Sequence, residues 1–288
     1  MNAAAVVVLH DSAAELAVLL RSLERVEAPR LVVVDTGSGD GGADLARARG
    51  AEVLERPDNP GFGAACNAGL ARVGEDVAIL LNPDCEALDD SLAALAAVAR
   101  IHPRALHAPR LLNRDGSVQR SAHPLPGTIG ALLPALVPPA LLPRALRERA
   151  EPYRAGTPRT VGWAIGAALA ASTATLRALG PFDPGVHLYY EDMELCLRAR
   201  AAGIPTVLHP NLVLRHMGGH STLRGGEDFD ANARRRREAI RATRGRAALA
   251  LDDAAQALTF ATRTAVKRQS RRERAQLAAL AAALRRTG

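Results

Sequence analysis

The chain has 288 residues, 48% of them apolar, with three cysteines and a net charge of +7. That length allows one large domain or two small ones, either with a sizeable core. The cysteines, Cys66, Cys85 and Cys196, lie far apart without metal-type spacing, which excludes a disulfide framework and a zinc knuckle and points to a reducing cytoplasm.

The opening MNAAAVVVLHDSAAEL has no basic region ahead of its apolar run, which stops at His10 and Asp11, so it reads as a buried first strand and not as a secretory signal. SAAELAVLLRSLERV follows as an amphipathic helix, RLVVVD as a strand running into the glycine-rich turn TGSGDGG, and GGADLARARG as a short helix. AEVLERPD, GFGAACNAGLARV and EDVAILLNPD continue as strand, helix and strand. Such alternation, with near-continuous apolar runs in the strands, predicts an α/β fold with a mainly parallel mixed sheet covered by helices on both faces. Ligands of such sheets sit beyond the carboxyl ends of the strands.

DDSLAALAAVARIHP predicts the next helix, with an acidic first turn and a proline stop, and RALHAPRLLNRDGSVQRSA a strand and hairpin turning at Asp115-Gly116. From Pro124 to Pro158 the Gly- and Pro-rich sequence predicts an irregular excursion or lid. Its apolar part, Ile129 to Pro143, holds four prolines and is shorter than the span of about 20 residues that crosses a bilayer, so no transmembrane helix is expected. VGWAIGAALAAS then returns as a strand, EDMELCLRARAAG as a helix and PTVLHPNLVLRH as a strand, and after Gly226 a helical tail begins. From Arg234 to Gly288 there are 15 Lys and Arg against 4 Asp and Glu, so the rest of the chain is net acidic.

Three strand ends carry chemistry. Asp35 closes LVVVD ahead of the glycine turn, where a carboxylate can accept from a base or ribose or can close an Asx turn. In NPGFGAACNAGL, Gly61 and Gly63 open a helix with amides suited to phosphate, and Asn67, one turn on, can hold the turn or touch ligand; close packing on the sheet explains the same residues. In ILLNPDCE a buried strand ends at Asn82-Pro83-Asp84, and Asp84 should project beside the Asp35 turn, as a turn aspartate or as an oxygen ligand for Mg²⁺ or Mn²⁺ on a diphosphate.

VVVDTGSGDGG, NPGFGAACNAGL, LLNPDCE, WAIGAALAASTATLRALGPFDPGVHLYYEDMELCLRARAAG and LRHMGGHST together resemble, in order and spacing, family 2 glycosyltransferases, most closely the bacterial rhamnosyltransferase-like branch, over residues 5–225. The resemblance implies a GT-A fold, a nucleotide-sugar donor, a divalent cation and inversion at the anomeric carbon. By position, Asp35 matches the family's nucleotide-base contact, Asp84 the last aspartate of its DxD-type metal motif, and Asn82 the place of the first. His216 matches a histidine that contacts metal or diphosphate, with His220 ranked behind it; Trp163 and Gly166-Ala167 match the segment lining the donor and acceptor site. His10-Asp11 departs from the family's aromatic or threonine followed by asparagine, which bears on base recognition.

Asp192 matches the catalytic base, the carboxylate that makes an acceptor hydroxyl nucleophilic by taking its proton. Glu191 points about 100° away from it on a helix and is assigned to acceptor hydroxyls. Tyr189 and Tyr190 can stack on a sugar or pack in the core, and Glu194 with Arg198 reads as an ordinary helix pair.

These readings combine into a GT-A domain over residues 1–226, with a nucleotide-binding half 1–110 and an acceptor half 111–226, and a basic helical extension 227–288. The tail suits an anionic membrane surface, or a solvated or dimer-packing helix; nearly lacking aromatics, it suits nucleic acid least. The expectation is a cytoplasmic enzyme, peripheral on the inner face of the plasma membrane, that moves rhamnose from dTDP-rhamnose to a saccharide or polyprenyl-diphosphate-linked acceptor. The rivals are a nucleotidyltransferase, for which VVVLHDSAAE lacks the glycine-rich, lysine-containing loop, and a noncatalytic binder of the same fold.

Overall fold

A computed structural model describes residues 1–180, 182–183, 190–218, 228–266 and 270–285. The alternation in the first third is present as β1 (Ala3–Leu9), α1 (Ala13–Leu23), β2 (Arg30–Asp35), α2 (Gly42–Ala48), β3 (Glu52–Glu55), α3 (Phe62–Leu70) and β4 (Val77–Leu81). A three-residue strand, β5 (Cys85–Ala87), follows the Asp84 turn and leads to α4 (Ser91–Ile101), β6 (Leu106–Leu112) and β7 (Ala122–His123). The excursion is helical where irregular structure was expected: α5 (Ile129–Leu136) and α6 (Arg144–Ala150) are joined through a 3₁₀ turn at Pro139–Leu141.

The segment read as one strand from Val161 is three: β8 (Arg159–Val161), β9 (Trp163–Ala164) and β10 (Ala168–Ser172). Gly162 is the break, because its backbone lies against the excursion so closely that a Cβ there would sit 2.2 Å from the Leu125 amide nitrogen. The chain continues as α7 (Thr173–Leu179), which sequence periodicity did not reveal, then α8 (Glu191–Ala201), β11 (Thr206–His216), α9 (Phe229–Val266) and α10 (Arg271–Arg285).

The main sheet has the order β3-β2-β1-β4-β10-β6-β11-β5, with β8 also on β11. β1, β2, β3 and β4 pair in parallel, as do β6 and β11, while β10 enters antiparallel between β4 and β6. Alternate residues of β1 serve opposite faces: Ala3, Ala5, Val7 and Leu9 pack with α1 and α4, whereas Ala4 and Val6 pack with α3, α7 and α8. This two-sided burial is why the strand reads as one apolar run. All three cysteines are free and buried.

The tail folds onto the body. At Gly245, with φ 82°, α9 reverses, which is why Arg236 pairs with Asp252 at 2.7 Å and Arg237 with Asp253; in a straight helix 16 residues would separate them by about 24 Å. Met193 and Leu197 of α8 pack with Ile240 and Leu249 of α9, and Arg244 donates to the Pro126 carbonyl at 3.0 Å. Among the described residues no helix is long and apolar enough to cross a membrane.

Candidate active site

Two backbone residues between β9 and β10 hold the chemistry together. The Gly166 amide donates to Asp192 Oδ2 at 3.0 Å, and the next carbonyl, of Ala167, accepts from the Asn82 amide at 2.8 Å and from the Cys85 thiol at 3.2 Å. The first aspartate of α8 and the Asn82–Asp84 turn, 110 positions apart by number, thus hang from adjacent residues.

The β5–β11 pairing sets His216 opposite Cys85 and so beside Asp84. Asp84 Oδ2 accepts from the Gly218 amide at 2.9 Å, and Oδ1 lies 3.2 Å from His216 Nε2. Burial acts to raise the Asp84 pKa, but the hydrogen bond and charge of His216, with the Gly218 amide, outweigh it and hold the carboxyl below its ordinary value. His216 Nδ1 is 2.9 Å from Gln119 Oε1. The Gln119 amide nitrogen lies 3.4 Å from the His216 carbonyl, an unambiguous acceptor, so it is the oxygen of Gln119 that faces the ring. Nδ1 therefore carries a proton, and in the neutral ring Nε2 presents a lone pair. In the imidazolium form Nε2 donates to Asp84 Oδ1, and this is the form that lowers the Asp84 pKa; in the neutral form the lone pair and Oδ1 are two acceptors facing each other, which a cation would reconcile.

Asn82 completes the set. Its Nδ2 lies 3.4 Å from His216 Nε2, and its Oδ1 is buried without a hydrogen-bond partner. A buried, unpartnered carbonyl oxygen beside a carboxylate and an imidazole fits a divalent ion, whose remaining positions water and phosphate oxygens would fill. Among the described residues no group of three His, Cys, Asp or Glu side chains could hold a metal, and the candidate donors here are Asp84, His216 and this amide.

On the acceptor side, both Asp192 oxygens are oriented: Oδ2 by Gly166 and Oδ1 by the Met193 amide at 2.6 Å. Burial outweighs these amides and pushes the Asp192 carboxyl up to about 6. Glu191 is 8% exposed, and its Oε2 has no hydrogen-bond partner. Burial first, then the charge of Asp192, raises it to about 8. Glu191 is thus buried beside Asp192 and not open on a surface, and it holds its proton more tightly than an ordinary carboxyl. Tyr190, in left-handed conformation at φ 67°, packs toward α9 with the Arg236 guanidinium 5.9 Å over its ring. Trp163 stacks on His123 at 4.0 Å, and burial together with the Arg120 and Arg236 charges lowers His123 to about 3, which keeps that ring neutral.

The nucleotide-side candidates are more structural than their motifs suggested. Asn67 Nδ2 donates to the Phe182 carbonyl and its Oδ1 accepts the Phe182 amide, both at 2.8 Å, so the side chain holds that loop. A Cβ on Gly63 would lie 2.9 Å from Phe182 Cβ, so close packing requires the glycine. Asp35 Oδ1 accepts from the Ser38 amide at 3.2 Å and from its hydroxyl, closing the turn. Asp35 and Asp84 share one edge of the sheet but are not side by side, because β1 runs between β2 and β4. Glu194 pairs with Arg198 at 2.8 Å, half-buried. Tyr189 and His220 lie outside the described residues. Gln119 escaped sequence reading: nothing in the hairpin return GSVQRSA marks it, and its partner lies 97 residues away.

The family model for glycosyl transferase family 2 matches residues 4–156. An N-acetylglucosaminyl-diphospho-decaprenol L-rhamnosyltransferase of Mycobacterium tuberculosis is 33% identical over 211 residues, 67% of each chain. A low-salt glycan biosynthesis hexosyltransferase of Haloferax volcanii is 24% identical over 60% of this chain and 54% of its own. Among solved structures, GalNAc-T7 with UDP, GalNAc and Mn²⁺ superposes with a TM-score of 0.60 at 17% identity, over 83% of this chain but 48% of its own. The Pyrobaculum calidifontis mannosyltransferase with GDP-Man and Mn²⁺ does so with a TM-score of 0.55 at 16% identity, over 99% of this chain and 86% of its own. The fold is the GT-A fold expected from the motifs.

Proposed function

Because this chain belongs to glycosyl transferase family 2, we propose that it is a metal-dependent, inverting enzyme that moves rhamnose from dTDP-rhamnose to a polyprenyl-diphosphate-linked saccharide in cell-envelope synthesis. The observation that supports the reading is the Gly166-Ala167 junction, where adjacent residues hold Asp192, a carboxylate of raised pKa, and the turn that carries Asp84, a carboxylate of lowered pKa. The donor and acceptor follow the Mycobacterium tuberculosis relative, whose name specifies both an L-rhamnosyl group and a diphospho-decaprenol carrier.

Asp192, with both oxygens aimed by backbone amides, keeps a lone pair for the acceptor hydroxyl. The carboxylate takes the hydroxyl proton as the oxygen bonds to the anomeric carbon. The bond from that carbon to the diphosphate oxygen breaks with its electron pair leaving on the diphosphate, and attack from the opposite face inverts the carbon. Asn82, Asp84 and His216 would hold Mg²⁺ or Mn²⁺, which when bound supplies positive charge for the departing diphosphate. Gln119 keeps the His216 lone pair directed at that position.

The test is to incubate purified protein and Mn²⁺ with dTDP-rhamnose, UDP- or GDP-sugars and a synthetic N-acetylglucosaminyl-diphospho-lipid, and to read the product anomer by NMR. Rhamnosyl product of inverted configuration, lost with chelator, is expected. Retention, or turnover with another donor only, would overturn the corresponding part of the proposal.

A further inference from the structure

Most aliphatic side chains of this protein are covered, but one segment leaves several open. Ile129 is 72% exposed, Leu136 59%, Leu141 74% and Leu146 37%, all within the excursion of α5, the 3₁₀ turn and α6. Ile129, Leu132, Leu133 and Leu136 stand at the spacing of one helix face, the stripe a globular helix normally turns to its core. Here α9 packs against the helix and only Ala135 of α5 is buried; Leu132 and Leu133 are half-buried, and Ile129 and Leu136 at its ends are exposed. The exposed turn is held rigidly: Arg147 donates to the carbonyls of Pro139 at 2.8 Å, Ala140 at 2.6 Å and Leu142 at 3.2 Å, which fixes Leu141 outward.

The segment that carries these aliphatics is net basic. α5 carries no charged residue, and α6 adds Arg144, Arg147 and Arg149 against Glu148 alone. The Arg144 side chain is 93% exposed, and Arg149 is exposed. Exposed aliphatic side chains followed by exposed arginines, of which Arg144 is shared with Glu148 at 2.9 Å, match the boundary between acyl chains and anionic headgroups. Part of the tail's basic charge is taken up internally, Arg236 by Asp252, Arg237 by Asp253 and Arg244 by the Pro126 carbonyl, while Arg241, Arg246 and Arg271 are exposed.

The placement suits delivery of a lipid-borne acceptor. The excursion leaves the body at His123 and returns at Trp163, residues paired across β7 and β9, and Gly166 with its bond to Asp192 follows three residues on. We infer that the face formed by Ile129, Leu136, Leu141 and Leu146 with Arg144 and Arg149 docks on an anionic lipid bilayer, so that the base of the excursion presents the acceptor end of a membrane-anchored saccharide to Asp192. This rests on the proposed lipid-linked acceptor, but binding to vesicles needs neither donor nor turnover.

Co-sedimentation of the full chain with phosphatidylglycerol/phosphatidylcholine vesicles, and with phosphatidylcholine alone, tests it. The wild type should pellet with the anionic vesicles and much less with the neutral ones. The triple variant Ile129→Ser, Leu136→Ser, Leu141→Ser should lose partitioning by about tenfold or more, since each substitution removes a buried aliphatic contact with the bilayer. Its donor-induced thermal shift should stay intact, showing it folded, and Arg144→Ala with Arg149→Ala should weaken anionic binding only. Wild type left in the supernatant, a triple variant that binds as well as wild type, or a dimer that the triple variant dissolves in light scattering would each overturn the inference. Vesicle binding without rhamnosyl transfer would instead leave docking standing and remove the proposed donor or acceptor.

Discussion

Adjacent residues hold Asp192 and the turn that carries Asp84, Gly166 through the Asp192 carboxylate and Ala167 through the Asn82 amide, and both aspartates accept backbone amides, yet their surroundings drive them in opposite directions. Asp84 has an imidazole within 3.2 Å, which more than offsets burial, and its carboxyl is held below the ordinary value. Asp192 has no cation of that kind and a second carboxyl, Glu191, beside it; burial prevails, and both are raised. An aspartate that stays anionic suits a cation, and one poised near neutrality suits proton transfer. The contrast supports the proposed roles, a cation site at Asp84 and a base at Asp192, on grounds other than the motif.

The largest way to break the contrast is Asp192→Asn. Turnover should fall by about 10²–10⁴-fold, the usual contribution of a general base, while donor with Mn²⁺ still raises the melting temperature. Normal turnover in that variant would sink the base assignment. Asp84→Ala should do the reverse of that on binding: the Mn²⁺-dependent stabilisation by donor, about 2.7 kcal/mol at a hundredfold excess over Kd, should vanish in a thermal-shift titration.

A smaller effect is expected at the residue that orients His216. Gln119→Leu should weaken apparent Mn²⁺ affinity by about 10–100-fold with the donor-free melting temperature little changed, read by titrating Mn²⁺ at fixed donor. An unchanged Mn²⁺ midpoint would show that Gln119 does not direct the ring.

The smallest effects are in pH dependence. kcat/KM should fall as pH drops through about 6, where Asp192 takes up its proton. For Glu191 the folded-state value, about 8, lies above the ordinary 4.5, so between these the folded chain binds the extra proton. Stability from this group is then full below about pH 4.5 and lost as pH rises through about 8. Glu191→Gln should flatten that decline, seen as a higher melting temperature than wild type at alkaline pH and little difference in acid. A wild type whose stability does not decline over this range would mean that Glu191 ionises freely in the folded protein.

Much of the fold was legible because its signals are local. The strand and helix periods of the first hundred residues depend on neighbours within a turn or two, and the Asp115-Gly116 hairpin forms at the dipeptide that marked it, with the Ser117 amide on Asp115 at 2.9 Å and Gly116 at φ 80°. The reading failed where a distant segment intervened. Gly162 breaks a strand because Leu125 presses on it, and the Pro-rich excursion is helical because the α9 arms pack against α5, an outcome its prolines argued against. At the site, Asn67 and Gly63 carried a binding signature that the Phe182 contacts account for structurally.

By itself the sequence determined the family and the doubly covered sheet, since motif spacing and hydrophobic period are properties of contiguous residues. Only the tertiary structure decided that Gln119 orients His216, that Gly166 and Ala167 tie Asp192 to the Asn82–Asp84 turn, that Glu191 is buried beside Asp192, and that Arg236 and Arg237 of the tail turn inward while several aliphatics of the excursion face out. Burial and hydrogen bonding set these outcomes, and both arise from residues brought together across the chain, which no local pattern encodes.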